Sequence, residues 1–167
     1  MIIEGKVWKF GDDINTDLLQ PSEALFAPVA EQPRYCMSAN RPGWADMVQP
    51  GDVMVAGRNF GTGSSRPAAR VMKDLGLGCV LADSINGLFF RNAVNFAFPA
   101  IEVAGVSAAF EEGDHATIDF EAARVTNART GQQLQGITWP PELIAILDAG
   151  GLNAQLIAEG LIAPPAG

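Results

Sequence analysis

The sequence predicts an α/β chain organised around a parallel unit, and three observations carry that expectation. Between residues 52 and 104 the segments "GDVMVAGRN", "PAARVMKDLG", "GCVLADS", "INGLFFRNAVNFAF" and "PAIEVAG" read as strand, helix, strand, helix, strand. That order builds right-handed crossovers between parallel strands. The segment "GCVLADS" is nearly all apolar, as a parallel strand covered on both faces must be. Beyond residue 114 the pattern changes to short alternating segments and turns, "HATIDFEAARVTNARTGQQLQGI", which predicts short β-strands with "RTGQQ" as a hairpin turn.

Taken in order, residues 2–9, "IIEGKVWK", alternate as a strand with Val7 on one face and Lys6 on the other. "FGDDINTD" follows as a polar turn. From Leu18 to Pro50 no period is sustained, and the segment reads as a long connection with short helices around 22–26 and 42–47. Connections of this length in a compact fold usually serve function or cover something. The helix at 67–76 has Pro67 at its first position, Ala69, Met72 and Leu75 on one face, and Gly76 as its stop. The next helix is expected after Ser84 as N-cap. "PPELIAILDAGG" and "LNAQLIAEG" are two short helices, and "LIAPPAG" is a tail. No repeat or linker divides the chain, so a single domain over 1–167 is expected.

Apolar residues make up 48% and charged residues 18% of the 167 positions, which indicates a folded chain. The formal net charge of −8 argues against a duplex nucleic-acid binder, which needs a basic face to neutralise phosphates. Arg58, Arg66 and Arg70 nevertheless gather around one loop, either as a solvated positive patch or as a pocket for a small anion. Two cysteines, Cys36 and Cys79, and one histidine, His115, are too few for a zinc or iron–sulfur site held by this chain alone. Cys79 reads as a small buried hydrophobe. The cysteine usage fits a reduced, cytoplasmic chain. The N-terminus lacks the basic and apolar regions of a signal peptide, and no apolar run is long enough to span a membrane.

The chemistry is concentrated in "NFGTGSSRPAAR", Asn59 to Arg70, between a strand and a helix. A nucleotide loop would need G-x-x-x-x-G-K-S/T or G-x-G-x-x-G, and here the lysine of the first and the third glycine of the second are missing. A nucleophile elbow would need G-x-S-x-G and a histidine base. Gly63-Ser64-Ser65-Arg66 does not match, and His115 reads as an exposed turn residue entering a strand. A third reading is a surface that holds a carboxylate and handles a proton. Arg66 would clamp the carboxylate. A serine without histidine can act as base only if its alkoxide is stabilised, which loop N–H groups of Gly61, Thr62 and Gly63 and a guanidinium can do. Pro67 would hold Arg66 at the helix lip, with both serine hydroxyls above the helix N-terminus. Helix capping by the serines is the alternative left open at this point.

The segments "KFGDDINTD", "GDVMVAGRNFGTGSSR", "ADSINGLFFRNAVNFAFPAIE" and "AGGLNAQL", in that order, resemble the small-subunit family of 3-isopropylmalate dehydratase, a stand-alone version of the aconitase swivel domain. The resemblance covers nearly the whole chain. It implies a three-layer β/β/α swivelling domain that closes over a large subunit carrying a 4Fe–4S cluster, with no cofactor or metal ligand in this chain. It implies a hydro-lyase acting on a small dicarboxylate through an unsaturated intermediate, with Ser64 as the base and Ser65 and Arg66 on substrate carboxylates. Thr16 and Asp17, in "NTD", match a pair facing the active site, Asp17 orienting a neighbour by hydrogen bonds. Asp13 and Asn15 stay with an Asx-rich turn. The family's specificity segment falls near Ala24-Leu25-Phe26-Ala27, where relatives that bind a third carboxylate tend to carry arginine. Phe26 either faces an alkyl substituent or packs in the core. The family commonly reads G-C-G-S-S-R-E; here Thr62 and Pro67 replace the cysteine and the acid. Serine and arginine are kept, so chemistry of the same type is implied. Isopropylmalate is the first substrate expected; dimethylmalate, citramalate or a homoaconitase-type substrate is the second, and a non-catalytic dicarboxylate-binding module the reading from another class. An isolated chain would expose the face meant for its partner, which allows weak homo-oligomers.

Overall fold

The computed structural model describes residues 1–63 and 66–165. Seven strands pair in the order β4-β3-β2-β1-β5-β6-β7. The strand β1 (Ile2–Lys9) is the pivot, because it changes partner half-way. Its second half pairs in parallel with β2 (Val53–Ala56), Val7 opposite Val53 and Lys9 opposite Val55. Its first half pairs antiparallel with β5 (His115–Asp119), Ile2 opposite Asp119 and Lys6 opposite His115. A strand that switches partners in this way lets one ribbon curl into two sheets. β3 (Cys79–Ala82) and β4 (Ala100–Glu102) extend the parallel side. β6 (Arg124–Asn127) and β7 (Gln133–Gln135) extend the antiparallel side, with Arg129-Thr130-Gly131 in the hairpin turn between them. The result is the expected three-layer β/β/α arrangement.

The two sides show their burial in their sequences. Every residue of β2 and β3 is buried, whereas β5 alternates, with Ala116 and Ile118 inside and His115 exposed. At the curl, Gly5 has no room for a side chain: a Cβ would lie 2.1 Å from the Gly51 carbonyl oxygen. Edge-on aromatic pairs lock the ends of the core. Trp44 meets Trp8 and Phe10 at 6.2 and 5.1 Å, and Trp139 meets Phe90 and Phe120 at 5.0 and 5.1 Å.

The long connection contains three short elements: α1 (Thr16–Leu19), α2 (Ser22–Phe26) and a 3₁₀ segment at Val29–Tyr35, followed by a 3₁₀ turn at Ala45–Met47. α3 (Ala68–Leu75) buries Ala68, Ala69, Val71 and Met72, leaves Leu75 half-buried, and stops at Gly76 with φ 103°. Burial of Val71 and Met72 contributes about 1.5–3 kcal/mol each. Pro67 stands one position earlier than the sequence predicts, at the N-cap. α4 (Gly87–Asn95) is capped by Asn86, whose side chain accepts from the Leu88 N–H, not by Ser84. The Ser84 hydroxyl instead accepts from the Asn59 N–H at 2.8 Å. α5 (Val106–Ala109) was not expected. α6 (Pro141–Asp148) and α7 (Leu152–Ala158) lie where predicted, α6 with Pro at its start. Among the described residues no helix is long and apolar enough to cross a membrane.

Candidate functional site

The site is built where the parallel strands end. Beyond β2 the chain runs between two neighbours. The Gly61 N–H donates to the Ile14 carbonyl at 2.7 Å and the Thr16 N–H to the Thr62 carbonyl at 2.8 Å. On the other flank the Phe60 N–H donates to Ser84 and the Asn86 N–H to Phe60, at 3.0 and 2.8 Å. Parallel bridges pair Asn15 with Thr62 and Phe60 with Ile85. The segments after β1, β2 and β3 thus continue side by side, and the N-termini of α1 and α4 meet the glycine loop at the carboxyl end of the sheet. Open α/β sheets bind their ligands at this end.

Both loop glycines are required by contacts. At Gly61, φ is 78° and a Cβ would sit 2.2 Å from the Phe89 Cβ; at Gly63, φ is 112° and a Cβ would sit 2.9 Å from the Thr16 hydroxyl oxygen. Thr62 lies between them, half-buried, its backbone bonded to Thr16. Asn15 caps α1, its side chain accepting from the Leu18 N–H at 3.0 Å. Asp13, at φ 57°, accepts from the Asn59 side chain at 2.8 Å. These two residues therefore serve the turn, as the sequence predicts.

Arg66 is fixed before any ligand arrives. Its side chain is 18% exposed; Nη2 pairs with Asp17 at 3.0 Å and Nη1 donates to the Gln20 carbonyl. The outward Asp17 carboxylate and the α1 C-terminus thus orient the guanidinium. The three arginines do not form one patch. Arg58 points away to the surface and pairs with Asp12 at 3.0 Å, and its N–H, then its guanidinium, hold the Asp12 carboxyl below its ordinary value. Arg70 turns towards the 3₁₀ segment, donating to the Gln32 side chain at 2.6 Å.

A cleft of about 170 Å³ opens beside Arg66, lined by Thr16, Arg66, Leu88, Phe89, Arg91, Asn92 and Asn95. Ser64 and Ser65 lie outside the described residues. Phe26 does not line the cleft. It stands on α2 at 90% exposure, with Leu25 and Val29 also exposed, which overturns core packing for it. α4 adds side chains to the cleft beyond those the sequence points to. Asn92 accepts from the Ala69 N–H at 2.9 Å and so caps α3 from a neighbouring helix. Leu88, Arg91 and Asn95 follow at helical spacing, and that face of "LFFRNAVN" was the available signal.

Among the described residues no group of three or more His, Cys, Asp or Glu side chains could hold a metal ion. Cys36 and Cys79 are separately buried, and burial raises both thiols, Cys36 to about 12.

Comparison with known proteins settles the family. The aconitase C-terminal domain family matches residues 31–104. The chain is 40% identical to the isopropylmalate/citramalate isomerase small subunit of Methanocaldococcus jannaschii, over 93% of this chain and 94% of that one. The chain belongs to the 3-isopropylmalate dehydratase small-subunit family. A further member, the 3-isopropylmalate dehydratase small subunit of Lachnospira eligens, is 44% identical over 89% of this chain and 90% of its own. Within the family, the crystal structure of a 3-isopropylmalate dehydratase from Methanocaldococcus jannaschii superposes with a TM-score of 0.89 at 34% identity, covering 96% of each chain. The fold described above is therefore that of the family's small subunits.

Proposed function

We propose that this chain is the small subunit of a cytoplasmic 3-isopropylmalate dehydratase, interconverting 2- and 3-isopropylmalate in leucine biosynthesis together with a large subunit. The observation that carries this reading is the glycine loop at the carboxyl end of the parallel strands, leading into an arginine already oriented by Asp17 and the α1 C-terminus. A preset guanidinium binds a carboxylate with little further ordering.

In this reading the substrate lies between the two subunits. A 4Fe–4S cluster held by the large subunit supplies Lewis acidity at the substrate hydroxyl. On this chain, Ser64 as alkoxide takes the proton from the carbon next to the one bearing the hydroxyl. The C–H electron pair becomes the C=C bond, the C–O bond breaks, and the departing hydroxyl takes a proton from an acid that the large subunit would supply, leaving as water. Rehydration reverses these steps with hydroxyl and proton exchanged between the two carbons. N–H groups of Thr62 and Gly63 and the nearby Arg66 lower the cost of the serine alkoxide; the Gly61 N–H, expected from the sequence to join them, is instead taken by the Ile14 carbonyl. Arg66 and Ser65 hold a carboxylate. Thr16 lines the cleft and closes on the loop through its backbone, and Asp17 keeps Arg66 in plane. Phe26, exposed on α2, faces the alkyl substituent once the large subunit covers it, where a third carboxylate would be left unpaired.

A second substrate is favoured by one comparison: the Methanocaldococcus jannaschii relative is described as acting in an isopropylmalate/citramalate isomerase, so the same half-site would also accept a methyl-substituted malate. The test is reconstitution with the cluster-bearing large subunit, assayed against 2-isopropylmalate, citramalate, dimethylmalate and homocitrate. Turnover of 2-isopropylmalate by the mixture and by neither subunit alone is expected. Dicarboxylate binding without turnover would identify a non-catalytic module instead.

A further inference from the structure

Beside the cleft, three polar side chains are joined below the surface. The carbonyl that Arg66 holds belongs to Gln20, the C-cap of α1, and the Gln20 side chain is buried, at 1% exposure. Its Nε2 donates to the Gln32 Oε1 at 3.2 Å. Gln32, in the 3₁₀ segment at 7% exposure, uses the same oxygen to accept from Arg70 Nη2 at 2.6 Å. Its own Nε2 donates to the carbonyl of Ala27 at 3.3 Å, the C-cap of α2 and the residue that follows Phe26. One amide therefore ties together the anchor of Arg66, the end of the Leu25–Phe26 helix, and α3.

This arrangement is not what packing alone would select. The Gln20 Oε1 and the Arg70 Nε are buried with no hydrogen-bond partner among the described residues. A buried network that leaves an acceptor and a donor unsatisfied is less stable than an apolar filling of the same shape. Its benefit must lie in geometry. α2 is a single turn that follows Gln20 directly and is anchored at its start by buried Pro21 and Ala24, while Leu25 and Phe26 at its far end are exposed, so the Gln32 amide is what ties that far end back to the Arg66 anchor.

We propose that Gln32 is a specificity-determining positioning residue: its amide sets the spacing between the Arg66 carboxylate clamp and the Leu25–Phe26 segment, and thereby the size of alkyl substituent that an alkyl-substituted diacid can carry. This rests on the function proposed above. The two ends of the amide can be separated. In Gln32→Glu, a carboxylate still accepts from Gln20 and Arg70 but cannot donate to Ala27, so the clamp is kept and the α2 end is released. In Gln32→Leu both are lost.

The experiment measures kcat and KM for 2-isopropylmalate and citramalate in complexes of the large subunit with wild-type, Gln32→Glu and Gln32→Leu chains. Amide exchange is followed over residues 16–20 and 21–28 of each isolated chain. Gln32→Glu is expected to change the ratio of kcat/KM between the two substrates roughly tenfold, within the range a few methylenes command, with kcat for 2-isopropylmalate within about twofold, and to raise exchange over 21–28 only. Gln32→Leu is expected to raise KM for both substrates roughly tenfold and to raise exchange over both segments. An unchanged substrate ratio in Gln32→Glu, or loss of kcat at constant KM in both variants as from a smaller folded fraction, would overturn the proposal. If Gln32→Leu does not assemble, Gln32→Glu decides alone. A wild-type complex that turns over no alkylmalate would sink the functional reading and this inference with it; active wild-type with an unaltered ratio would sink only the inference.

Discussion

Gly61 is the position where the loop's geometry can be tested with one methyl group. Gly61→Ala places a Cβ at 2.2 Å from the Phe89 Cβ and 2.5 Å from its Cγ, at a residue whose φ is 78°. The left-handed backbone costs an alanine about 1–2 kcal/mol. The overlap adds about 1–3 kcal/mol, because relief requires the backbone of α4 or the loop to move. A total of roughly 2–5 kcal/mol corresponds to a melting temperature lower by roughly 5–15 °C in a chain of this size. The overlap is with the first side-chain carbon, so Phe89→Ala leaves it in place and does not rescue Gly61→Ala. Gly87, at the start of α4, has open space where its Cβ would be, so Gly87→Ala should be neutral or raise stability by up to about 1 kcal/mol. Urea unfolding and thermal melts of the four variants make the assay, with turnover of the reconstituted complex as the second readout. A Gly61→Ala chain as stable as wild type, or one restored by Phe89→Ala, would refute the close approach of loop and helix.

Other consequences follow from separate parts of the fold. Arg66→Lys cannot bond Asp17 and the Gln20 carbonyl in one plane, and the loss of a charged hydrogen bond of about 1.5–3 kcal/mol should lower kcat/KM roughly 10- to 100-fold, chiefly through KM. Asp114 is buried in the β5–β6 side; Arg129 at 2.6 Å, with the Glu111 N–H and the Asn127 side chain, holds its carboxyl well below the usual range. A depressed folded value means the stabilisation is present above about pH 4, the unfolded carboxyl's value, and is lost as pH falls towards the folded one. Asp114→Asn should therefore lower stability at pH 7 by about 1–2 kcal/mol and flatten its decline below pH 4, measured by urea unfolding across pH; an unchanged acid limb would contradict the pairing. Cys36 and Cys79 should resist iodoacetamide at pH 8 in the folded chain and label together in denaturant; rapid native labelling of either would contradict their burial.

The strands and helices of residues 52–104 were legible because local pattern and tertiary environment agree there. β2 and β3 are apolar throughout and buried throughout, and Gly76 ends its helix as its position suggested. Boundaries decided by competing polar residues were not legible. Ser84 and Asn86 can each cap α4, and the choice is made by Asn59, whose N–H takes the serine hydroxyl. α1 and α5 have four residues each, too few to carry a periodicity, so the sequence shows only a polar turn at the first and nothing at the second. The arginine patch dissolved for a non-local reason: Asp12, Asp17 and Gln32 draw Arg58, Arg66 and Arg70 in separate directions. Asn92 capping α3 and Gln32 bridging three elements are likewise contacts between residues far apart in sequence, and no spacing in the chain announces them.

The central claim is that this chain brings the proton-transfer serine to a site completed by a large subunit. The most direct measurement is single-turnover and steady-state dehydration of 2-isopropylmalate by the reconstituted complex with wild-type chain and with Ser64→Ala, together with the affinity of each chain for the large subunit. The account predicts equal affinity and a rate for Ser64→Ala lower by roughly 10²–10⁴-fold, the range expected for loss of a positioned base. A Ser64→Ala complex that assembles normally and turns over at the wild-type rate would contradict it.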